Sequence, residues 1–214
     1  MSKKIGILGS GIVAKTLSMG FAKHGYEVKL GTRSPEKLAD WQREEAQQVN
    51  IGTFDEAASF GEIIVLAVKG TAAKSAIDLA KADNLKNKVV IDATNPIADE
   101  QPEEGVLKFF TDQNYSLMEE LQKEQPHTKF VKAFSSVGSA LMVNPNLDSK
   151  PTMFIAGNDD EAKQIVSEII DQFGWETADM GKAQAARAIE PLCMLWCIPG
   201  FRDNQWSHAF KLLK

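Results

Sequence analysis

A chain of 214 residues can bury one sizeable core and carry a small appendage, and its 43% hydrophobic and 25% charged content excludes disordered, collagen-like and coiled-coil classes. A net charge of -5 with both signs scattered offers no basic stripe for a phosphate backbone, so no nucleic-acid partner is expected. No apolar run has the length of a membrane span, and Met1-Ser2-Lys3-Lys4 leads into a strand-like run without a cleavage pattern, so a cytoplasmic protein with no membrane partner is expected.

Short apolar runs then alternate with amphipathic stretches, which predicts an α/β fold: a doubly wound, mostly parallel Rossmann-type sheet with a small C-terminal helical segment. Strands are expected at 4–8, 27–31, 62–68, 88–93, 129–134, 152–156 and 175–179, with a short one at 49–53. Helices are expected at 12–24, 35–47, 54–60, 72–82, 116–123 and 159–173. The segment 98–114 breaks the rhythm, with Pro102 and Gly105 before Phe109 and Phe110, and reads as a long loop that is either a cleft lid or a plain insertion.

Residues 182–214 hold helix formers interrupted by Pro199-Gly200, which predicts two helices with a bend. The expected division is a dinucleotide-binding domain over 1–180 and a C-terminal helical segment over 181–214, packed near the cofactor cleft. Cys193 and Cys197, four apart, share a helix face without disulfide geometry and are expected as reduced core residues. His208 alone stands near them as a further ligand, so no metal site is expected.

Directly after the first apolar run comes Gly9-Ser10-Gly11-Ile12-Val13-Ala14, opening an amphipathic helix. A Gly-x-Gly-x-x-Ala run means little alone, but between a strand and a helix it is a dinucleotide turn. Gly9 permits the tight turn, Gly11 lets a pyrophosphate approach the backbone, and Ala14 keeps helix close to sheet. The helix start then offers free N–H groups and a positive dipole end to the anion.

At the end of the second strand, where NAD enzymes usually carry an acid, this chain has Thr32, Arg33 and Ser34, with Lys37 one turn on. A guanidinium, two hydroxyls and an ammonium suit a 2′-phosphate dianion that a carboxylate would repel, so NADP(H) is the expected cofactor. The alternative is that Arg33 and Lys37 are solvated charges beside a helix N-cap at Ser34.

Ligands in doubly wound sheets bind beyond the carboxyl ends of the strands. Those ends are Ala67-Val68-Lys69, Thr94-Asn95-Pro96 and Ser135-Ser136, expected to border the nicotinamide. Lys69, Asn95, Ser135 and Ser136 are the candidate proton donors, although none is obligatory for hydride transfer and Lys69 can equally be a solvated loop residue. Arg187 and Glu190 either place charge over the cleft or form a surface ion pair.

With these motifs, and with Gly31-Thr32-Arg33-Ser34, Asp92-Ala93-Thr94-Asn95-Pro96, Val131-Lys132-Ala133-Phe134 and Ala186-Arg187-Ala188-Ile189-Glu190-Pro191-Leu192, the chain resembles the coenzyme F-420-dependent NADP oxidoreductase family, which includes the cytosolic domains of the STEAP metalloreductases. The resemblance implies a homodimer passing hydride between NADP(H) and a flavin-like ring, and the expected function is hydride transfer between NADPH and a flavin, a deazaflavin or a small organic acceptor. It assigns Ser10, Ile12 and Val13 to the pyrophosphate, Thr32, Arg33, Ser34 and Lys37 to the 2′-phosphate, and Val68 and Asn95 to the nicotinamide. Ser135-Ser136 departs from the Asn-Thr usual in relatives, and the 98–114 loop and the tail from Trp196 look individual. The competing reading is a regulatory module that binds NADP(H) and senses redox state without turnover.

Overall fold

The computed structural model describes residues 3–213 and contains an eight-stranded sheet. In chain order it runs β1 (Lys4–Leu8), α1 (Ile12–Lys23), β2 (Glu27–Gly31), α2 (Ala39–Glu45), β3 (Val49–Gly52), α3 (Phe54–Phe60), β4 (Ile63–Leu66), α4 (Ala73–Ala80), α5 (Ala82–Leu85) and β5 (Val89–Asp92). A long connection leads to α6 (Leu117–Glu124), β6 (Lys129–Lys132), β7 (Thr152–Gly157), α7 (Asp160–Gln172), β8 (Glu176–Asp179) and α8 (Ala186–Asp203).

The spatial order is β3-β2-β1-β4-β5-β6-β7-β8, with β6 and β7 antiparallel and every other neighbouring pair parallel. The chain leaves β1 toward β2 and β3, then returns to place β4 on β1's other side, so the direction of winding reverses between β1 and β4. This is the switch point at which open α/β sheets bind ligands.

Strand alternation sends side chains to two apolar layers. Ile5, Ile7, Val65 and Ile91 pack with α1 and α7 through Leu17, Phe21, Val166 and Ile170. Leu8, Ile64, Leu66 and Val90 pack with α3, α4 and α6 through Ala57, Ile77 and Leu121. The central strands are therefore buried on both sides, which is why they read as unbroken apolar runs. Capping boxes start α3, from Thr53 to Glu56, and α6, from Ser116 to Glu119.

Three expected elements differ. The 35–47 helix opens as a tighter turn over Pro35–Leu38 before α2, and the 72–82 helix breaks at Lys81, whose φ is 65°. The C-terminal stretch is one continuous helix, not two: Pro191 and Pro199 both lie inside α8. Burial of Ile189, Cys193, Trp196 and Gly200 holds α8 to the body, so tertiary packing outweighs the lost proline N–H bonds. The helix ends instead at Asn204, left-handed at φ 54°, and the chain turns back to β7, where Phe210 O accepts the Thr152 N–H at 2.9 Å.

The 98–114 segment is partly ordered as a hairpin-like flap. Ile97 bridges Phe109, Ala98 donates to Lys108 O at 2.8 Å and Phe110 to Pro96 O at 2.9 Å, while Glu103 and Val106 close the tip. Gly105 at the tip lies against Phe201 and Arg202 of α8.

Candidate functional site

The Gly9–Ala14 turn stands at the carboxyl end of β1, beside the switch point. Gly9 has φ 138°, and a Cβ there would run into the carbonyl of Ala67 beyond β4, so both conformation and space demand glycine. Gly11 is glycine for a different reason. Its backbone is ordinary, at φ -74°, and a Cβ would meet nothing within 4 Å because the position faces an open cleft. Gly11 caps α1 without any side-chain hydrogen bond, and no acid occupies the first turn. The N–H groups of that turn and the positive helix end therefore face the cleft uncompensated, which fits a pyrophosphate. Ala14 is fully buried against the sheet and takes no part in the cleft wall.

That cleft has a volume of about 420 Å³ and runs from Thr32 and Arg33 past Gly9–Val13 to Val68, Lys69 and Ala93. Arg33 is exposed at its far end, while Thr32 is buried and its hydroxyl accepts the Ser34 N–H at 3.3 Å. Ser34 and Lys37 precede and occupy the Pro35–Leu38 turn and are not on the wall. Ala67 is on the wall.

A second cavity of about 520 Å³ shares Val13, Val68, Lys69 and Ala93 with the first and continues to Asn95 and the base of the flap, Ile97 to Gln101. The flap thus borders the cleft mouth, whereas Phe109 and Phe110 line neither cavity. Lys69 contacts Asp99 across the mouth at 3.4 Å, with both side chains largely in solvent. Thr94 and Pro96 are buried behind Asn95. Ser135 and Ser136 are buried too and line neither cavity, which removes them from direct contact with a ligand held there.

Asn95 donates through Nδ2 to Ser135 O at 2.7 Å, whereas Asn95 Oδ1 and Ser135 Oγ are buried with no hydrogen-bond partner among the described residues. Unsatisfied polar atoms are uncommon in a folded interior, and one of these two belongs to Asn95, on the wall of the second cavity.

Behind Asn95 lies a charge cluster that sequence reasoning did not assemble. Lys132 at the end of β6 is 0% exposed and sits 2.7 Å from Asp92, also 0% exposed, and 2.8 Å from Glu190 of α8, 2% exposed. Burial works against the Lys132 charge, but the two carboxylates outweigh it and push its pKa up. Neither expectation for Arg187 and Glu190 survives. They do not pair with each other: Arg187 forms a bidentate contact with Glu119 of α6, donating from Nε to Oε2 at 2.9 Å and from Nη2 to Oε1 at 2.6 Å, while Glu190 turns inward. The available signal was Lys132 itself, a charged residue closing an apolar strand, which requires buried counter-charges.

Cys193 and Cys197 are free thiols, Cys193 buried as expected and Cys197 only partly so. No cluster of potential metal ligands occurs among the described residues, and no helix there is long and apolar enough to cross a membrane.

Fold and cleft together define a Rossmann-type dinucleotide-binding protein, with the turn, the switch point and the cavities coinciding. Residues 4–96 match the family described as NADP oxidoreductase, coenzyme F420-dependent. The chain is 34% identical over 202 residues to Metalloreductase STEAP3 of Rattus norvegicus, covering 92% of this chain and 38% of that protein. It is 26% identical over 204 residues to the F420-dependent NADP reductase of Methanocaldococcus jannaschii, covering 90% of each. A solved structure from Arthrobacter sp. FB24, named as a candidate F420-dependent NADP reductase, superposes with a TM-score of 0.92 at 28% identity over 100% of both chains. The resemblance read from the sequence is borne out, and the chain spans well under half the length of the metalloreductase it matches.

Proposed function

We propose that this chain is an NADP(H)-dependent oxidoreductase that passes hydride between NADPH and a flavin, a deazaflavin or a small organic acceptor. The observation that carries this reading is the continuity of the two cavities. The first fits a dinucleotide laid over the α1 N-terminus with its 2′-phosphate toward Arg33, and the second opens beyond Val68 and Asn95 where an acceptor can meet the nicotinamide. A bound NADPH would supply the hydride, with any proton the reduced acceptor needs drawn from solvent.

The chain's own residues bind and orient. The first turn of α1 holds the pyrophosphate, Arg33 and Thr32 hold the adenosine phosphate, and Val13, Val68 and Ala93 give the nicotinamide an apolar wall. Asn95, on the wall of the second cavity, provides the polar side chain at that end. Lys69 stands between the two cavities, able to contact a ribose or the acceptor when released from Asp99. No side chain is required to deliver a proton to a ring that accepts hydride and is open to solvent.

A second copy of the chain is the expected partner, supported by exposed Val106 and Phe110 on the flap and Leu195 and Phe201 on α8. Light scattering reads this directly: a monomer at micromolar concentration removes it.

The deciding assay follows NADPH absorbance with F420, FMN, riboflavin, quinones and small carbonyls, using NADH as the control. NADPH consumption with at least one acceptor, and little with NADH, is expected. Tight NADPH binding without turnover on the whole panel would replace the enzyme with the redox-sensing module.

A further inference from the structure

The cluster behind Asn95 joins four separate elements. The Glu190 carboxylate accepts the N–H groups of Leu117 at 3.0 Å and Met118 at 3.1 Å, so it caps the N-terminus of α6 from α8. Its Oε1 also lies 2.8 Å from Lys132 Nζ. Lys132 in turn donates to Thr94 O at 2.9 Å and pairs with Asp92, whose Oδ1 accepts both the Thr94 N–H at 2.9 Å and the Thr94 hydroxyl at 2.6 Å. Thr94 is thus gripped at its carbonyl, amide and hydroxyl, and the next residue is Asn95, on the wall of the acceptor cavity. On the other side the Asn95 carbonyl lies so close to Gly70 that a Cβ on Gly70 would collide with it.

Two carboxylates around one lysine leave a net negative charge in a dry interior, which is costly unless something positive faces it. The α6 N-terminus supplies that partial charge through the two N–H bonds to Glu190. The second counter-charge of Lys132 and the cap on α6 are therefore in place only when α8 is docked.

We propose that Glu190 is a positioning residue for the nicotinamide end of the cleft: through Lys132 and Asp92 it fixes the Thr94–Asn95 turn, and it ties that turn's geometry to the docking of the C-terminal helix. The inference rests on the reading that NADP(H) lies in the cleft with its nicotinamide toward Asn95. It assigns Glu190 no contact with cofactor or acceptor, and it gives α8 a task in the reaction centre, although α8 lines neither cavity.

The test uses the full chain with Glu190→Gln, which keeps side-chain size and one acceptor oxygen but removes the charge facing Lys132. Three readouts separate positioning from general damage. Affinity for 2′-AMP, which occupies only the Arg33 end, stays within about twofold of wild type, as expected for a distant independent site. The fluorescence of bound NADPH, which reports the nicotinamide environment, falls toward that of free NADPH. Turnover of the best acceptor in the panel falls about tenfold or more, the scale on which misplaced reacting groups lose rate.

Wild-type fluorescence and turnover in Glu190→Gln overturn the inference and leave the enzyme reading standing. Parallel loss of 2′-AMP affinity also overturns it, because the damage is then general. If wild type turns over no acceptor while Glu190→Gln loses the bound-NADPH signal, the enzyme reading falls and the positioning role holds. If Glu190→Gln does not fold, Lys132→Met combined with Asp92→Asn and Glu190→Gln removes the cation and both counter-charges together and reads the same split between 2′-AMP and nicotinamide signals.

Discussion

Gly11→Ser separates what the phosphate turn does for the fold from what it does for the ligand. Gly11 is the N-cap of α1 in extended backbone, φ -74° and ψ -178°, with open space where a Cβ would go. Serine adopts that conformation freely, and its hydroxyl can accept an N–H from the first turn, so stability should rise by a few tenths of a kcal/mol, about 0.3. The same hydroxyl then takes an N–H that a pyrophosphate would use. Losing one charge-assisted hydrogen bond weakens NADPH binding by about 1.5–3 kcal/mol, or about 10- to 150-fold in Kd. Urea unfolding gives the first quantity and calorimetric titration with NADPH the second, with 2′-AMP as a control that does not reach the turn. An undiminished NADPH affinity, or a variant less stable than wild type, would refute the argument that this turn is left uncapped for an anion.

Gly9→Ala makes the opposite case: with φ 138° and the Ala67 carbonyl in the way, it destabilises by about 2–3 kcal/mol or more in urea, and a neutral result would show that the strand-to-helix turn relaxes easily. Arg33→Ala weakens NADPH by about 2 kcal/mol, roughly 30-fold, and leaves NADH unchanged; equal effects on both cofactors would remove the 2′-phosphate role. The Arg187 hydrogen bonds hold the Glu119 carboxyl below its usual value of 4.5, against the opposing effect of burial. A lowered folded-state pKa gives stability that is complete above the unfolded value and lost as pH falls through the folded one, so Glu119→Gln is less stable than wild type near about pH 6 and the gap narrows as pH falls below 4.5 and through the lowered value. A gap that persists in acid would assign the effect to packing. The Cys193 thiol donates to Cys197, raising its own pKa together with burial and lowering that of Cys197, so maleimide labels Cys197 first; equal labelling in peptide mapping would contradict the paired-thiol geometry.

Much of the fold was legible because it is local. Periodicity located every strand to within two residues at either end, since central parallel strands are apolar throughout and their covering helices are amphipathic. The errors arose where distant contacts override local preference. Pro199 reads as a helix stop, yet α8 continues through it because buried residues on both sides hold the helix to the body. The 98–114 segment reads as a loop, but backbone bonds from Ala98 to Lys108 and from Phe110 to Pro96 depend on a partner ten or more residues away.

At the site, the sequence by itself determined the dinucleotide turn and the basic end of the cleft, because both are spelled by adjacent residues: Gly9 to Val13, and Thr32 with Arg33. Only the tertiary structure decided that Lys37, Ser135 and Ser136 stand away from the cavity walls, and that the flap base borders the cleft mouth. It alone also brought Asp92, Lys132 and Glu190 together from β5, β6 and α8. A buried charge is satisfied by whatever the fold places within about 3 Å, and that partner carries no fixed sequence spacing.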